Sequence, residues 1–453
     1  MKSFFSKKSL IYPVLFSVVA IHVFVLTKLI YFPYPELFIY PYLASHGLKP
    51  YAQILDQHFP GLLFLPVNFN NLGMNTPEIA RIWSIVAVIL IQVILFFVSS
   101  KILKSKTKAL LVNILYLIWQ PFFEGWILWI DSFLPLLLLP AFYFLHRGRA
   151  FTAGALMGLA ICFKQTIIPL SFFALVYFFL QTRSFKKPFR FLGGLLIPVG
   201  AMVAYLIGIG VFFDFWYWTV VFNLTTYAQF GRGGGPSLAH FSRVFLVFGS
   251  AFLIIKKIKS QEAQVLLIFL IGTLLGLSTR FDFVHFQPAL PFALIAFVFV
   301  LGQLRGFKLL GIAFFYSLIL IWWLTIFYKG HLGDRVISFD SGTRKLAVKI
   351  KENTIPGEKI FIYGALPHLY QMSATLPPGD IFVFQFPWFL KVAQNRILEG
   401  IMKDRPKIIV SDRTVIIEGV KIIDFAADID QYIGRNYQKF DNVGTTDILR
   451  RKN

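Results

Sequence analysis

Charged residues are scarce in this chain of 453 residues. They make up 15% of it, whereas soluble domains carry about 25%. Hydrophobic residues make up 57%, with 53 phenylalanines, which is more than the core of a water-soluble protein can hold. Cysteine occurs once, as Cys162, and this excludes an intrachain disulfide and a cysteine-based metal site. The composition therefore indicates an integral membrane protein.

Acidic residues are scarce as well. The 22 Asp and Glu residues oppose 44 Lys and Arg, which gives a formal net charge of +22. The segment before Lys329 carries +17 of it, mostly in short loops between apolar runs. Nucleic-acid binding needs a basic groove with elements that read bases, and the sequence offers none. Basic loops are instead typical of the cytoplasmic side of membrane proteins, so we predict no nucleic-acid partner.

Eleven apolar runs predict about eleven membrane-spanning helices. Most approach the 20 residues needed to cross ~30 Å of hydrocarbon. The first is too long for the core of a secretory signal peptide, so we predict a retained helix. The runs are 10–32, 79–100, 109–122, 129–145, 150–163, 165–181, 191–212, 241–255, 262–278, 286–304 and 309–328.

The loops between these runs alternate in charge. One set, with the N-terminus, holds 18 Lys and Arg and a single acid, Glu262. The positive-inside rule puts this set in the cytoplasm and predicts an odd number of spans, with the C-terminus outside. We therefore predict a multi-pass protein of the plasma (inner) membrane. Its first outer loop is 33–78, and a second, long outer loop is 213–240.

Residues 329–453 change in character. Strand-like runs at 359–363 and 407–410 alternate with helical patterns near 341–353, 388–404 and 424–440. This alternation predicts a small α/β domain. The predicted organisation is a membrane module, 1–328, followed by an extracytoplasmic α/β domain, 329–453.

The acids near the predicted outer face are the informative polar residues. Ionisable groups at membrane depth are costly and mark function, whereas an acid in an outer loop can simply be solvated. The acids are Glu36, Asp56, Glu78, Glu124, Asp131, Asp214 and Asp282. For Glu124 and Asp131 we expect local hydrogen bonding.

An aromatic run lies in the long outer loop. This run, FFDFWYW at 212–218, favours an interfacial belt over a sugar-stacking platform.

Four stretches together resemble a known family. Residues 34–66, YPELFIYPYLASHGLKPYAQILDQHFPGLLFLP, are similar to the first outer loop of lipid-dependent GT-C glycosyltransferases. AGALMGLAICFKQTIIP (153–169), TRFDFVHFQPALP (279–291) and IPGEKIFIYGALPHLYQMSATLPP in the tail resemble further parts of the protein-mannosyltransferase-like bacterial group, which includes aminoarabinose transferases. The resemblance covers about residues 30–410.

The resemblance implies a reaction on the outer face of the membrane. A sugar would move from a polyprenyl-phosphate carrier to an acceptor hydroxyl of a glycan, lipid or protein, with inversion. One carboxylate would take the hydroxyl proton, which is general-base catalysis. Glu36 is the first candidate and Asp56 the second, although the family usually has Asp at the position of Glu36. Cations suited to the carrier phosphate are Lys164, Arg280, His285 and Arg232. The alternatives are that Lys164 and Arg280 snorkel to the interface, that His285 caps or packs at a helix start, and that Arg232 reaches a phosphate only when its Gly-rich loop closes. His58 would position the acceptor or orient Asp56, or else serve only the structure of its loop.

Two other classes remain open. A transporter or flippase of a lipid-linked sugar would show internal repeats and polar residues at mid-span, whereas the polar residues here are expected at the outer face. A polysaccharide polymerase or ligase using a diphosphate carrier would call for more outer arginines. A donor with a single phosphate has less charge to neutralise than a diphosphate, so we predict that no metal and no cofactor is required.

Overall fold

The computed structural model describes residues 10–230, 237–249, 251–278, 281–302, 306–364 and 366–452. The chain divides into two compact units, each built from three separate segments. The first unit is Met1–Phe32, Ala80–Met202 and Gly234–Arg335; the second is Pro33–Ile79, Val203–Gly233 and Val336–Asn453. The second unit thus gathers the first outer loop and much of the long outer loop with the tail. This division differs from the predicted boundary, which separates two continuous domains after residue 328 and stays a prediction.

Each of the eleven predicted runs contains a helix within the described residues. By length and composition, six helical stretches there could cross a membrane, and four further apolar helices are shorter. A polytopic helical membrane protein is therefore confirmed, and eleven crossings stay a prediction. The helices are Ile11–Lys28, Pro77–Ile102, Lys106–Gln120, Leu134–His146, Ala150–Phe163, Ile168–Thr182, Lys186–Gly208, Leu238–Val244, Gln261–Leu274, Leu290–Leu301 and Phe307–His331.

Short irregular turns join or extend these helices. Two are single π-turns, Pro121–Gly125 and Phe245–Gly249. Five are 3-10 turns, in which the backbone winds more tightly than in an α-helix. They are Ile130–Ser132, Gln165–Ile167, Phe252–Lys257, Leu275–Ser278 and Phe283–Phe286.

Small residues bring two helices of the first unit into backbone contact. A Cβ on Gly154 would lie 2.0 Å from the carbonyl oxygen of Phe191, and one on Gly194 would lie 2.1 Å from that of Phe151. Close approach through glycine is how helices associate in lipid, where no hydrophobic effect drives them together. The small-residue run of the sequence is therefore a packing surface, and it positions Lys164 at the end of helix Ala150–Phe163.

A buried polar network lies within the helices of the first unit. His22 contacts the side chains of Gln120, at 3.0 Å, and Gln92, at 2.9 Å. Asn113 donates to the backbone oxygen of Gln92 at 2.7 Å. His22, Gln92 and Asn113 stand near the middle of their helices and are fully buried. The expectation that polar residues sit only at the outer face is therefore wrong: neutral side chains that pair with one another can be buried mid-helix.

The second unit contains the strands and the shorter helices of the tail. Its helices are Glu36–Ser45, Gly61–Phe64, Phe212–Trp216, Ala228–Phe230, Ser341–Glu352, Leu369–Ser373, Pro387–Asp404, Ile422–Phe425 and Ala427–Asn436, with π-turns Tyr217–Val221 and Asn223–Tyr227 and the 3-10 turn Pro378–Asp380. A four-stranded sheet runs in the order Phe361–Tyr363, Ile408–Ser411, Thr446–Arg451, Tyr437–Val443. The first two strands are parallel and the others antiparallel. The predicted sheet-containing C-terminal region is confirmed.

The first outer loop is bonded to the tail inside the second unit. Strand Ile54–Leu55 pairs in parallel with Phe382–Val383. The side chain of Arg396 donates to the backbone oxygen of Ala52 at 2.8 Å. These backbone contacts fix the segment that leads directly into Asp56. The remaining two-residue strands are Phe32–Pro33, Ile127–Leu128, Ile416–Ile417 and Val420–Lys421.

The aromatic run 212–218 has a buried face as well as an exposed one. Phe215 packs edge-on against Tyr51, with ring centroids 5.2 Å apart, and Trp218 lies 5.9 Å from Phe389. Phe213 and Trp216 are exposed. The run is therefore partly a core element of the second unit, and only its exposed face suits an interfacial belt.

Candidate active site

Glu36 is the first residue of helix Glu36–Ser45 in the second unit. Pro35 precedes it with φ −55°, a value already suited to a helix. An acid in the first turn also interacts favourably with the positive end of the helix dipole. The side chain is only 8% exposed. This local sequence therefore holds a carboxylate at a helix start, largely shielded from water.

Tyr40 lies one turn after Glu36 and is fully buried. Its hydroxyl donates to Asp56 Oδ1 at 2.9 Å. Burial, followed by the charges of Asp56 and Glu36, raises the pKa of Tyr40 well above its usual range. Because both carboxylates act on one phenol, the structure brings the two base candidates together around Tyr40.

Asp56 is 1% exposed and surrounded by donors. Besides Tyr40, it accepts from the backbone N–H of His58 at 2.9 Å, and His58 Nδ1 lies 3.1 Å from each carboxylate oxygen. These donors engage both oxygens of the Asp56 carboxylate. The geometry therefore favours Asp56 as the group that orients His58, whose side chain is 25% exposed.

The first unit contains a second buried Asp–His pair, with a lysine added. Asp131 Oδ2 accepts from Lys164 Nζ and lies 3.0 Å from His285 Nδ1. Lys164 Nζ is 3.1 Å from the same His285 nitrogen. Asp131 is 2% exposed and Lys164 7%. Two predicted site residues, Lys164 and His285, are thus in direct contact, and Asp131 joins them.

Three 3-10 turns position this cluster. Asp131 lies in Ile130–Ser132, His285 lies in Phe283–Phe286, and Lys164 immediately precedes Gln165–Ile167. Lys164 itself has an extended backbone, with φ −155° and ψ 122°, which interrupts the helical path. Each polar residue therefore stands at a break in an apolar helix, where its side chain can meet the other two.

The charges of the cluster nearly balance. Lys164 and Asp131 form an ion pair. Burial, and next the Lys164 ammonium, lower the pKa of His285, so the imidazole is neutral near pH 7. Asp282 lies nearby, with Oδ2 4.0 Å from His285 Nε2. An anion arriving at the cluster would favour the protonated imidazole, because an opposite charge stabilises the charged form.

Glu124 forms a third polar centre, also in the first unit. It has a left-handed backbone, φ 59°, within the π-turn, and Oε2 accepts from Val284 N–H at 2.9 Å. Burial raises the pKa of Glu124 to about 6. The guanidinium of Arg243 lies 3.9 Å from the ring centre of Phe122 and 3.8 Å from that of Phe283, a double cation–π contact. The expectation of local hydrogen bonding for Glu124 and Asp131 is therefore wrong: Val284 lies 160 positions from Glu124, and Lys164 lies 33 positions from Asp131.

Two predicted phosphate-binding residues, Arg280 and Arg232, lie outside the described residues. Asp131 and Tyr40 were not predicted as site residues. For Asp131 a signal existed, because Lys164 in an apolar hairpin needs a counter-ion and acids are rare here. In the part of the chain that the structure describes, no group of three His, Cys, Asp or Glu side chains could hold a metal ion.

The chain matches a known family model over residues 57–207, that of dolichyl-phosphate-mannose-protein mannosyltransferases. No curated protein matches it. Its fold resembles ArnT from Cupriavidus metallidurans bound to undecaprenyl phosphate, at 13% identity and TM-score 0.63 over 97% of both chains. For ArnT in the apo state the identity is 12% and the TM-score 0.65, over 98% of both chains.

A third structure is similar, that of the archaeal oligosaccharyltransferase AglB from Archaeoglobus fulgidus in complex with an inhibitory peptide and a dolichol-phosphate. The identity is 14% and the TM-score 0.53, over 99% of this chain and 75% of that one. The chain therefore shares the fold of these ArnT and AglB structures.

Proposed function

We propose that this protein transfers a sugar from a polyprenyl-phosphate carrier to an acceptor hydroxyl, with inversion at the anomeric carbon. The observation that carries the proposal is the buried Asp131–Lys164–His285 cluster. Burying an ion pair beside a histidine is costly, and such a site suits a ligand that brings negative charge. The family match and the lipid phosphates named for ArnT and AglB support this class of donor.

The carrier phosphate is proposed to bind at the Asp131–Lys164–His285 cluster. Lys164 donates from an ammonium whose other partner, Asp131, fixes its position. His285 would take up a proton from water when the anionic carrier binds, and would then donate a charge-assisted hydrogen bond. Arg280 and Arg232 are proposed to add contacts to the phosphate oxygens, because guanidinium groups match them bidentately.

Glu36 is proposed as the general base. Asp56 already accepts from Tyr40 and from His58, so its lone pairs are engaged. Glu36 is largely buried at the start of a helix, which holds its carboxylate in place. His58 is held by Asp56 and is proposed to position the acceptor.

The reaction then balances without a further reagent. The acceptor oxygen bonds to the anomeric carbon while its proton moves to Glu36. The bond from that carbon to the phosphate oxygen breaks, and its electron pair remains on the carrier phosphate. Lys164 and protonated His285 stabilise this charge as it forms, which is transition-state stabilisation by groups already in place.

The setting of the reaction follows from the loop charges and is part of the proposal. The enzyme would work in the plasma (inner) membrane, with its N-terminus in the cytoplasm and its tail outside. Its partners would be the bilayer, the lipid-linked sugar and a glycan, lipid or protein acceptor. The mid-helix network around His22 consists of neutral, mutually paired groups, so it favours helix packing over a transport path.

The test is transfer of a labelled sugar from its polyprenyl phosphate by the purified protein. Glu36→Gln should lower turnover by roughly 10²–10⁴-fold, the usual contribution of a general base. Glu78→Gln is the matched control: this acid is exposed and pairs with Arg344, and its variant should retain activity. Full transfer by Glu36→Ala would overturn the base assignment, whatever the activity of Asp56→Ala. If the wild type releases no sugar from a phosphate carrier or from a diphosphate carrier, the proposed function is overturned.

A further inference from the structure

A polar cavity lies at the other ends of the helices that carry the Lys164 cluster. Helix Leu134–His146 starts after Asp131 and ends in the cavity, and helix Ala150–Phe163 starts beside the cavity and ends at Lys164. The loop charges predict this end to be cytoplasmic. The cavity measures about 290 Å³ and is lined by His146, Arg147, Gly148, Gln181, Lys187 and Gln261.

We propose that this cavity binds the headgroup of an anionic phospholipid of the predicted cytoplasmic leaflet. It would be a binding site separate from the one that holds the reacting groups. Basic pockets between membrane helices on that side are suited to lipid phosphates, because the phosphate is drawn to clustered Lys and Arg at headgroup depth. The proposal does not depend on the transfer reaction.

The basic residues that line the cavity favour an anion as its ligand. Within the described ranges, neither Arg147 nor Lys187 has a carboxylate within ion-pair distance. The acid on the neighbouring helix, Glu262, lies 3.6 Å from Lys104. His146 Nδ1 is buried without a hydrogen-bond partner among the described residues. Two cations, Arg147 and Lys187, therefore line a space that a phosphate could fill.

The backbone around the cavity adds to this preference. Lys187 is the second residue of helix Lys186–Gly208, and Gln261 is the first of helix Gln261–Leu274. Two helix N-termini thus bring the positive ends of their dipoles to the cavity. Gln261 also donates to the backbone oxygen of His146 at 2.7 Å, which ties two of these helix ends together.

The surroundings favour a lipid over a free phosphate. The helices that frame the cavity expose large apolar side chains close to it: Phe151 is 50% exposed, Leu180 68% and Phe189 67%. Acyl chains attached to a bound headgroup could lie along these side chains. A free anion gains nothing from an apolar rim, so the combination of a basic cavity and apolar flanks points to an amphiphile.

The experiment measures binding of fluorescent phosphatidylglycerol to the full-length protein in detergent micelles. Arg147→Gln with Lys187→Gln should weaken binding about 30-fold, since each basic residue contributes about a factor of five at a membrane surface. Arg183→Gln with Arg190→Gln is the matched control, because both residues are exposed near the same loop and do not line the cavity. The control should bind within about threefold of the wild type.

Three results would overturn the proposal. One is equal binding of phosphatidylglycerol by the cavity variant and the wild type. Another is equal binding of phosphatidylcholine, which would remove the need for negative charge. The third is full competition by inorganic phosphate at the concentration of the lipid, which would identify a free-anion site instead. Arg147→Lys with Lys187→Arg should keep binding, and a loss of binding there with a normal melting profile would also contradict a charge-based site.

Discussion

Each unit contains a buried aspartate that contacts the Nδ1 atom of a histidine, and the two pairs differ in what completes them. In the second unit Asp56 holds His58 and accepts from the neutral hydroxyl of Tyr40. In the first unit Asp131 is completed by the charged ammonium of Lys164.

This difference separates two kinds of chemistry. Around Asp56 the added donor is the neutral hydroxyl of Tyr40, so this carboxylate serves to orient His58. Around Asp131 the carboxylate is cancelled by lysine, and His285 can still gain a proton. That region therefore suits the stabilisation of an added negative charge, such as a leaving phosphate. The same Asp–His pair can thus serve different roles, depending on whether a tyrosine hydroxyl or a lysine ammonium also contacts the aspartate.

The largest expected loss of stability comes from removing Lys164, the third member of the cluster in the first unit. Lys164→Met leaves Asp131 as a buried charge without its ion-pair partner, and breaking a buried pair costs roughly 3–5 kcal/mol. We expect a marked fall in the unfolding midpoint, measured by thermal denaturation in detergent.

A second substitution sharpens this result. Asp131→Asn combined with Lys164→Met removes both charges and should recover much of the lost stability, since neither charge is then left alone. If the double variant unfolds as early as the single one, the ion pair is not what stabilises the cluster.

The matching substitution in the second unit should cause a smaller loss of stability. Tyr40→Phe removes one neutral donor from Asp56 and leaves His58 in place. An unmet hydrogen bond at a buried acceptor costs roughly 1–3 kcal/mol. We expect a lower unfolding midpoint by the same assay, but a smaller shift than for Lys164→Met. A larger shift would reverse the comparison.

The smallest effect on stability is expected from Glu124, a carboxylate that contacts neither a lysine nor a tyrosine in this way among the described residues. Its pKa in the folded protein is about 6, above the ordinary 4.5, because of burial. The folded state therefore holds the proton more tightly than the unfolded state, and stability falls as the pH rises from about 4.5 to about 6. Glu124→Gln should remove this part of the pH dependence. An unchanged profile would contradict the assignment.

The sequence predicted much of the architecture and only part of the site. Hydrophobic run length predicted the membrane helices, because that signal is local and strong. Lys164 and His285 were predicted, but their contact through Asp131 was not, since it joins positions far apart along the chain. The left-handed backbone of Glu124 carries no local signal either. The His22 network was missed because single polar residues inside apolar runs give no sign in the sequence that they contact one another.

Equilibrium binding of polyprenyl phosphate tests the division of roles between the two units most directly. It would be measured for Glu36→Gln and His285→Gln against the wild type, with Glu78→Gln as control. The account predicts that Glu36→Gln binds like the wild type, because the base acts on the acceptor. It predicts that His285→Gln binds roughly tenfold more weakly, the loss expected for a charge-assisted hydrogen bond. Weaker binding by Glu36→Gln together with unchanged binding by His285→Gln would contradict it.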